Sequence, residues 1–255
     1  MSLNPRQLAM LAAVREHGSL RTEALAERFD TTLQTVRRDV ARLTEAGVLE
    51  RFHGGVRAID SHSRNTAYTE RQRSHAEAKQ RIARTVAAAI PPGSSLFMNI
   101  GTTVEAVASE LLHHQGLRVV TNNLHVARTL SANPQCEVVV AGGTVRHEDL
   151  GVVGEAALYF TQQFKVDIGL IGISGIDTDG TLRDFDMREV MVARAIVAQS
   201  RQVWLVADAS KFGRPAMIEM APLKVVHTLF TDRPPEPAFE RLLRDLDVRC
   251  VVAPA

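Results

Sequence analysis

The 255-residue sequence contains two cysteines, one tryptophan, two tyrosines and only four lysines. Cys136 and Cys250 stand in separate apolar segments and form no spaced pair. A disulfide framework and a thiolate metal site are therefore not expected, and both residues are read as reduced, buried thiols of a cytoplasmic protein. No apolar run approaches the ~20 residues that a membrane span needs. The opening stretch "MSLNPRQLA" has no apolar signal core, so neither insertion nor export is expected. Nine histidines show no metal-ligand spacing. His113 and His114 are adjacent on a predicted helix, so their side chains diverge. No metal and no cofactor is expected, and no internal repeat or low-complexity segment is visible. What remains is an ordinary globular composition, 45% hydrophobic and 23% charged, in a chain long enough for one or two domains.

One short segment of this chain has distinctive chemistry. Residues 33–43 read "LQTVRRDVARL", with Val36, Val40 and Leu43 at i, i+4 and i+7, an apolar stripe of helical period. Thr32 precedes the run, where a hydroxyl caps the first turn, and Gly47 follows it as a left-handed stop. At roughly 100° per residue, the opposite face carries Gln34, Arg38, Ala41, Arg42 and Glu45, with Thr35 and Arg37 on its flanks. Gln, Thr and Arg on an exposed half-helix is the chemistry that reads base edges and phosphates. Upstream, Leu8, Leu11 and Ala12 predict a first helix. "RTEALAERF" predicts a second, capped by Thr22, with Leu25 and Phe29 inward. The short break "DTT" completes a helix-turn-helix. "VLERFHGG" alternates apolar and polar residues and ends in Gly54–Gly55, a strand entering a tight turn, which makes the motif winged and offers Arg51 and His53 to phosphate. An Arg-bearing helix is also the ordinary solvated face of many enzymes. Residues 1–58 hold nine arginines and no lysine against seven acidic residues, only +2, where nucleic-acid domains are often more basic. The combination of cap, arginine face and glycine-ended wing carries the reading.

Residues 57–79 are polar and lack a sustained apolar period until Ala76, after which Ile82, Val86 and Ile90 repeat up to the stop Pro91–Pro92–Gly93. The expected organisation is a winged helix-turn-helix domain over 1–57, a linker over 58–75 and an α/β domain over 76–255. In the last, short and nearly continuously apolar strands ("SLFMNI", "LRVVT", "CEVVVAGG", "VDIGLIGI", "QVWLVAD", "VVHTLFTD", "VRCVVA") alternate with helices, the pattern of a mostly parallel sheet covered on both faces.

Ligands of such sheets bind at the carboxyl ends of the strands. Those ends are polar here: Gly101–Thr102–Thr103 leading into a helix, Thr121–Asn122–Asn123, Gly142–Gly143, "GISGIDTDG" and "DASKFG" with Lys211. Glycine permits close backbone approach, hydroxyls and a helix N-terminus donate to an anion, and lysine neutralises it. Each loop alone is common loop chemistry; five at successive strand ends predict a small polar pocket with an anion site. Asp177, Asp179, Asp184, Asp186 and Glu189 follow. They are open to four readings: binding polyol hydroxyls, holding a metal, acting as a catalytic base, or, for Asp186, capping the next helix while the others stay exposed.

"QTVRRDV" with "LERFHGG", and "IGTT", "VTNN", "AGG" and "SKFGR" in that order, resemble the DeoR-type family of bacterial transcription factors from about Arg6 to Cys250. "GISGIDTDGTLRDFD" and "LGVVGEA" look most like the branch that answers to glycerol 3-phosphate. Asn99, where the family often has Asp, and Asp30–Thr31 in the turn depart from the pattern. The resemblance implies a sensor domain similar in fold to ribose-5-phosphate isomerase. It implies DNA contacts by Thr32, Gln34, Thr35, Arg37, Arg38, Arg42, Arg51 and His53. It implies phosphate held by Gly101, Thr102, Thr103, Asn122, Asn123 and Gly143, supported by Thr121 and Gly142, with the hydroxyl end facing Asp184, Asp186 and Lys211. The expected partners are double-stranded operator DNA, a phosphorylated polyol such as glycerol 3-phosphate or a similar sugar phosphate, and further copies of the chain. No catalytic residue is expected. The competing reading is a sugar-phosphate isomerase with an accessory helix-turn-helix domain, using Asp184 or Glu189 as its base.

Overall fold

The computed structural model describes residues 3–17, 19–46, 48–52, 54–58 and 65–254. Gly47, His53 and residues 59–64 of the expected linker lie outside them. Contacts divide the chain into two units, Met1–Ser61 and His62–Ala255.

The first unit runs α1 (Pro5–His17), β1 (Ser19–Arg21), α2 (Thr22–Arg28), α3 (Leu33–Glu45), β2 (Leu49–Phe52) and β3 (Gly55–Ala58). Met10, Leu11, Val14, Leu25, Val36, Val40, Leu43, Leu49 and Val56 form its core. The expected first helix exists, but its inward face is rotated. Leu8 is 53% exposed, whereas Met10, Ala13 and Val14 are buried. Thr22 does not cap α2; it is the first helical residue, and the cap position is Arg21 without a side-chain bond. Thr32 does cap α3, its Oγ1 accepting from the Thr35 amide at 3.2 Å. The strands pair antiparallel in the order β1-β3-β2, so the wing hairpin gains a third strand from the segment between the first two helices. Gly55 is required there, because a Cβ would sit 2.5 Å from the Phe52 ring and 2.7 Å from the Leu20 carbonyl.

The second unit begins with α4 (Tyr68–Arg73) and α5 (Ala76–Ala89) and continues through β4 (Ser95–Met98), α6 (Thr102–Glu110), β5 (Leu117–Thr121), α7 (Leu124–Leu130), β6 (Cys136–Val140), β7 (Thr144–Val145), β8 (Val152–Val153) and α8 (Glu155–Thr161). It then runs through β9 (Val166–Gly172), β10 (Gly175–Ile176), β11 (Thr181–Asp184), α9 (Met187–Ala198), β12 (Ser200–Val206), β13 (Ile218–Pro222), β14 (Thr228–Thr231), α10 (Pro237–Asp245) and β15 (Arg249–Val252). Seven strands in the order β15-β14-β12-β9-β4-β5-β6 make the main sheet, and every pairing in it is parallel. Strand alternation divides the apolar side chains between two faces. Leu96 and Met98 join Ile82, Val86, Val104, Val107, Val126 and Leu130 on one; Phe97 joins Val190, Ile196, Leu205, Phe239 and Leu243 on the other. Strands buried on both sides explain the continuous apolar runs.

Two additions were not visible as strands in the sequence: the hairpin β7-β8 and the antiparallel trio β10-β11-β13. Both are built from loops that follow carboxyl ends of the main sheet. Part of the expected linker is also ordered: Tyr68–Arg73 is helical, and Tyr68 donates to Glu105 of α6 at 2.8 Å. Cys136 and Cys250 are half-buried rather than fully buried free thiols. They sit on β6 and β15, the opposite edge strands of the sheet, and burial raises both thiol pKa values.

Candidate functional site

In the first unit, Val36, Asp39, Val40 and Leu43 are the buried residues of α3. Thr32, Gln34, Arg37, Arg38 and Arg42 are exposed, and Thr35 is half-buried. The arginines diverge as helical geometry requires, and the exposed N-terminal half presents Gln34, Arg37 and Arg38 together with the exposed Leu33. Arg51, exposed on β2, reaches back to this helix, its Nη2 donating to the Arg37 carbonyl at 3.1 Å. Asp39 was invisible in the apolar stripe. It accepts from Arg6 Nε at 2.7 Å and from Gln7 Nε2 at 2.8 Å, tying α3 to α1. Burial alone would raise its pKa, but the bonds from Arg6 and Gln7 and the Arg6 charge outweigh that and lower it.

In the second unit the strand order reverses between β4 and β9, with β5 and β6 on one side and β12, β14 and β15 on the other. Loops leaving adjacent strands in opposite directions open a crevice at such a point. Here a small cleft lies between them, floored by Gly101–Thr103 after β4 and Gly172–Ser174 after β9. Gly101 and Gly172 are neighbours across this floor, where a Cβ on either would be in ordinary contact, 3.8 Å from the other's Cα. Gly101 has φ +149°, a conformation that favours glycine. Around this floor stand Arg71, Asp184, Glu189 and Lys211.

Of the expected effector residues, the cleft therefore brings together Gly101, Thr102, Thr103, Asp184 and Lys211. Thr121, Asn122 and Asn123 are engaged in holding the neighbouring strand ends. Thr121 Oγ1 donates to the Met98 carbonyl at 2.6 Å and accepts from the Asn123 amide at 3.0 Å. Asn123 caps α7 through the His125 and Val126 amides and donates to Glu105 at 3.0 Å. Asn122 donates to the Val152 carbonyl at 3.2 Å, and its buried Oδ1 has no partner among the described residues. Gly142 and Gly143 are exposed beside β7; Gly143 has φ +154°, and a Cβ there would sit 2.9 Å from the Val153 carbonyl. Asp186 is the cap of α9, accepting from the Arg188 amide at 2.9 Å. It also pairs with Arg188 at 2.7 Å and Arg146 at 3.1 Å, so it does not border the cleft.

The cleft is polarised. Asp184 is buried, accepting from Ser174 Oγ at 2.9 Å and the Phe185 amide at 2.7 Å. Burial raises its pKa against those bonds. Glu189 is raised by burial and by the nearby Asp184, while Arg146, 2.8 Å away, opposes the shift. Together they form a carboxyl pair that resists carrying two charges. Lys211 lies on the far side of the charge balance: burial pushes its pKa down to about 8 against the attraction of Asp208. Asp208 holds a short 3₁₀ turn, Ala209–Lys211, by accepting from the Ser210 amide at 3.0 Å. Behind the acidic side, Arg146 clamps Asp149 with Nε at 3.0 Å and Nη2 at 2.5 Å. Arg71 reaches the same carboxylate at 3.2 Å. Sequence reasoning passed over Arg71 because α4 buries no residue and so gives no apolar period. It passed over Arg146 and Asp149 because their loop carries no recognisable motif, and it marked the loop of Ser174 without singling out that residue. No group of three metal-ligating side chains occurs among the described residues. His114, expected on a helix, lies beyond the end of α6 and bonds through Nε2 to the Ile90 carbonyl at 2.8 Å. Among the described residues no helix is long and apolar enough to cross a membrane.

Comparison with known proteins places both units in one family of proteins. The DeoR-like helix-turn-helix domain matches residues 6–62, and the DeoR C-terminal sensor domain matches residues 74–233. The glycerol-3-phosphate regulon repressor of Escherichia coli is 46% identical over 245 residues, covering 96% of this chain and 97% of that protein. Its namesake from Haemophilus influenzae is 45% identical, covering 92% of each chain. The E. coli transcriptional repressor CsqR is 40% identical, covering 98% of this chain and 95% of that one. Among solved structures, ribose-5-phosphate isomerase A from Neisseria gonorrhoeae aligns with 52% of each chain at a TM-score of 0.37 and 12% identity. The relatives alike over nearly their whole length are transcriptional repressors, not isomerases. The chain belongs to the DeoR family of helix-turn-helix transcriptional regulators.

Proposed function

We propose that this chain is a repressor that binds operator DNA as a homo-oligomer in the cytoplasm and is released by a phosphorylated polyol, glycerol 3-phosphate first among them. The observation that carries the effector reading is the polarised cleft at the switch point. It places a glycine-threonine turn at a helix N-terminus and a lysine within one small cavity bordered by buried carboxyls. A phosphate dianion suits the Gly101–Thr103 turn and Lys211. Alcohol groups suit Asp184, Glu189 and Ser174, each of which offers a hydrogen-bonding oxygen without an excess of positive charge. The name of the relatives at 45–46% identity supports the same ligand.

On the DNA side, Gln34 and Arg38 read base edges, while Arg37, Arg42, Arg51, Thr32 and Thr35 serve the backbone, joined by His53 of the wing. One small winged domain gives a limited interface, and two half-sites one helical turn apart supply affinity and specificity together, which is the reason to expect at least a dimer. Calorimetric titration with glycerol 3-phosphate, free glycerol and inorganic phosphate tests the ligand. Glycerol 3-phosphate binds and glycerol does not if the anion site leads recognition; equal binding of the two removes the anion site from the account.

A further inference from the structure

The helix that opens the second unit lies against the cleft, and nothing in the effector reading so far uses it. Arg71 borders the cleft beside Thr102 and Lys211. Its Nη2 is committed to Asp149, whereas its Nε is buried without a hydrogen-bond partner among the described residues. A guanidinium N–H shut away from water and left unpaired is a standing cost that an acceptor oxygen in the cleft relieves.

The backbone of the same residue rests on the expected anion turn. Thr102 Oγ1 stands 3.5 Å from the Arg71 carbonyl. The buried Lys79 amine donates to that carbonyl and to the Ser74 carbonyl, closing the C-terminal end of α4. Tyr68, three residues earlier, is fixed by Glu105 and stacks on His125 with ring centroids 5.0 Å apart. Asn65 donates to Ser174 Oγ at 3.2 Å, and Ser174, which also lines the cleft, donates in turn to Asp184. Arg214 binds Asn65 Oδ1 and Thr66 Oγ1, each at 3.1 Å. The segment 65–73, which follows the DNA-binding unit in sequence, thus touches the cleft directly through Arg71 and, by way of Ser174, through Asn65.

We propose that Arg71 is a direct ligand of the effector's anionic group, and that through Arg71 and Asn65 the segment 65–73 senses whether the cleft is filled. The proposal rests on the effector reading above and adds to it a ligand outside the strand-end loops, together with the element that registers binding. A ligand oxygen taken by Arg71 adds to its bond with Asp149, so α4 is held more tightly in the filled than in the empty state. That difference is what linkage requires of any element that couples ligand to DNA.

The test compares the full-length protein with Arg71→Gln and Arg71→Lys. Each is titrated calorimetrically with glycerol 3-phosphate, ribose 5-phosphate and inorganic phosphate. Amide hydrogen exchange over residues 65–80 is then followed with and without saturating glycerol 3-phosphate. Loss of a charge-assisted bond to the ligand weakens binding by about tenfold or more in Arg71→Gln. Arg71→Lys keeps a cation beside Asp149, so it guards against simple misfolding, and it binds more weakly than the natural protein because a lysine has no forked donor set. In the natural protein, ligand slows exchange in α4. The Arg71 assignment falls if the natural protein binds and both variants bind within twofold of it, or if ligand leaves exchange over 65–80 unchanged. If the natural protein binds none of the three compounds, the effector reading itself fails and this proposal fails with it.

Discussion

Arg51 of the wing donates to the main-chain carbonyl of Arg37 at 3.1 Å, which pins the hairpin to the middle of the exposed helix. The wing and α3 therefore form one surface. Arg38→Ala is expected to cost roughly 1–3 kcal/mol in operator binding and to relax specificity at one base pair. Arg37→Ala is expected to weaken all sequences alike and to lower the salt slope by about one unit. Binding isotherms on operator and random duplexes over a salt series separate the two, and an Arg38→Ala protein indistinguishable from the natural one on both duplexes contradicts the face assignment.

Asp39 is expected to be a stability residue of the DNA-reading unit. Asp39→Ala leaves Arg6 and Gln7 without their shared acceptor, at a cost of about 1–3 kcal/mol. Because the Asp39 pKa is lowered on folding, its contribution is complete above the unfolded value and disappears as pH falls through the folded value. Urea unfolding at pH 7 and pH 3 is expected to show a large difference between natural protein and variant at pH 7 and a smaller one at pH 3.

Lys211 gives the effector site a pH signature. Burial lowers the amine to about pKa 8, so the free protein loses this positive charge as pH rises through 8. A bound phosphate favours the charged amine, so binding takes up a proton above that point and affinity falls as pH increases from 8 to 9. Lys211→Met is expected to bind more weakly at pH 7 and to lack the alkaline fall. Calorimetry in buffers of different ionisation enthalpy measures the proton uptake.

The oligomeric state is open to sedimentation. At micromolar concentration the chain is expected to run as a dimer or larger, and tight operator binding by a protein that remains monomeric counts against the paired half-site argument.

The elements whose periods are set by burial were legible in the sequence. Val36, Val40 and Leu43 announced α3, and doubly buried strands such as Val166–Gly172 announced the parallel sheet. Elements held by polar contacts were not. The six-residue α4 buries nothing, and Asp39 occupies a buried position through two hydrogen bonds rather than through hydrophobicity. Three of the five polar strand ends expected at the site line the cleft, and the cavity itself was not legible, because strand order is a long-range property. Only the adjacency of β4 and β9 selects Gly101–Thr103 and Gly172–Ser174 as one floor, while Thr121–Asn123 turn inward to secure the next strand. Asp186 shows the same limit: the sequence left a helix cap and a ligand carboxylate both open, and the structure shows the cap together with ion pairs to Arg188 and Arg146.

The central claim is that a phosphorylated polyol in the cleft and DNA on α3 oppose one another. It is tested most directly by titrating the complex of this protein with its own upstream DNA against glycerol 3-phosphate, with glycerol and inorganic phosphate as controls. A coupling of ~1–3 kcal/mol predicts that saturating glycerol 3-phosphate weakens operator binding about 5–150-fold, and that operator weakens ligand binding by the same factor. Thr102→Val, which removes a hydroxyl at nearly constant size, is predicted to raise the ligand concentration needed for release. An operator isotherm unmoved by saturating glycerol 3-phosphate, or moved equally by glycerol, would contradict the account.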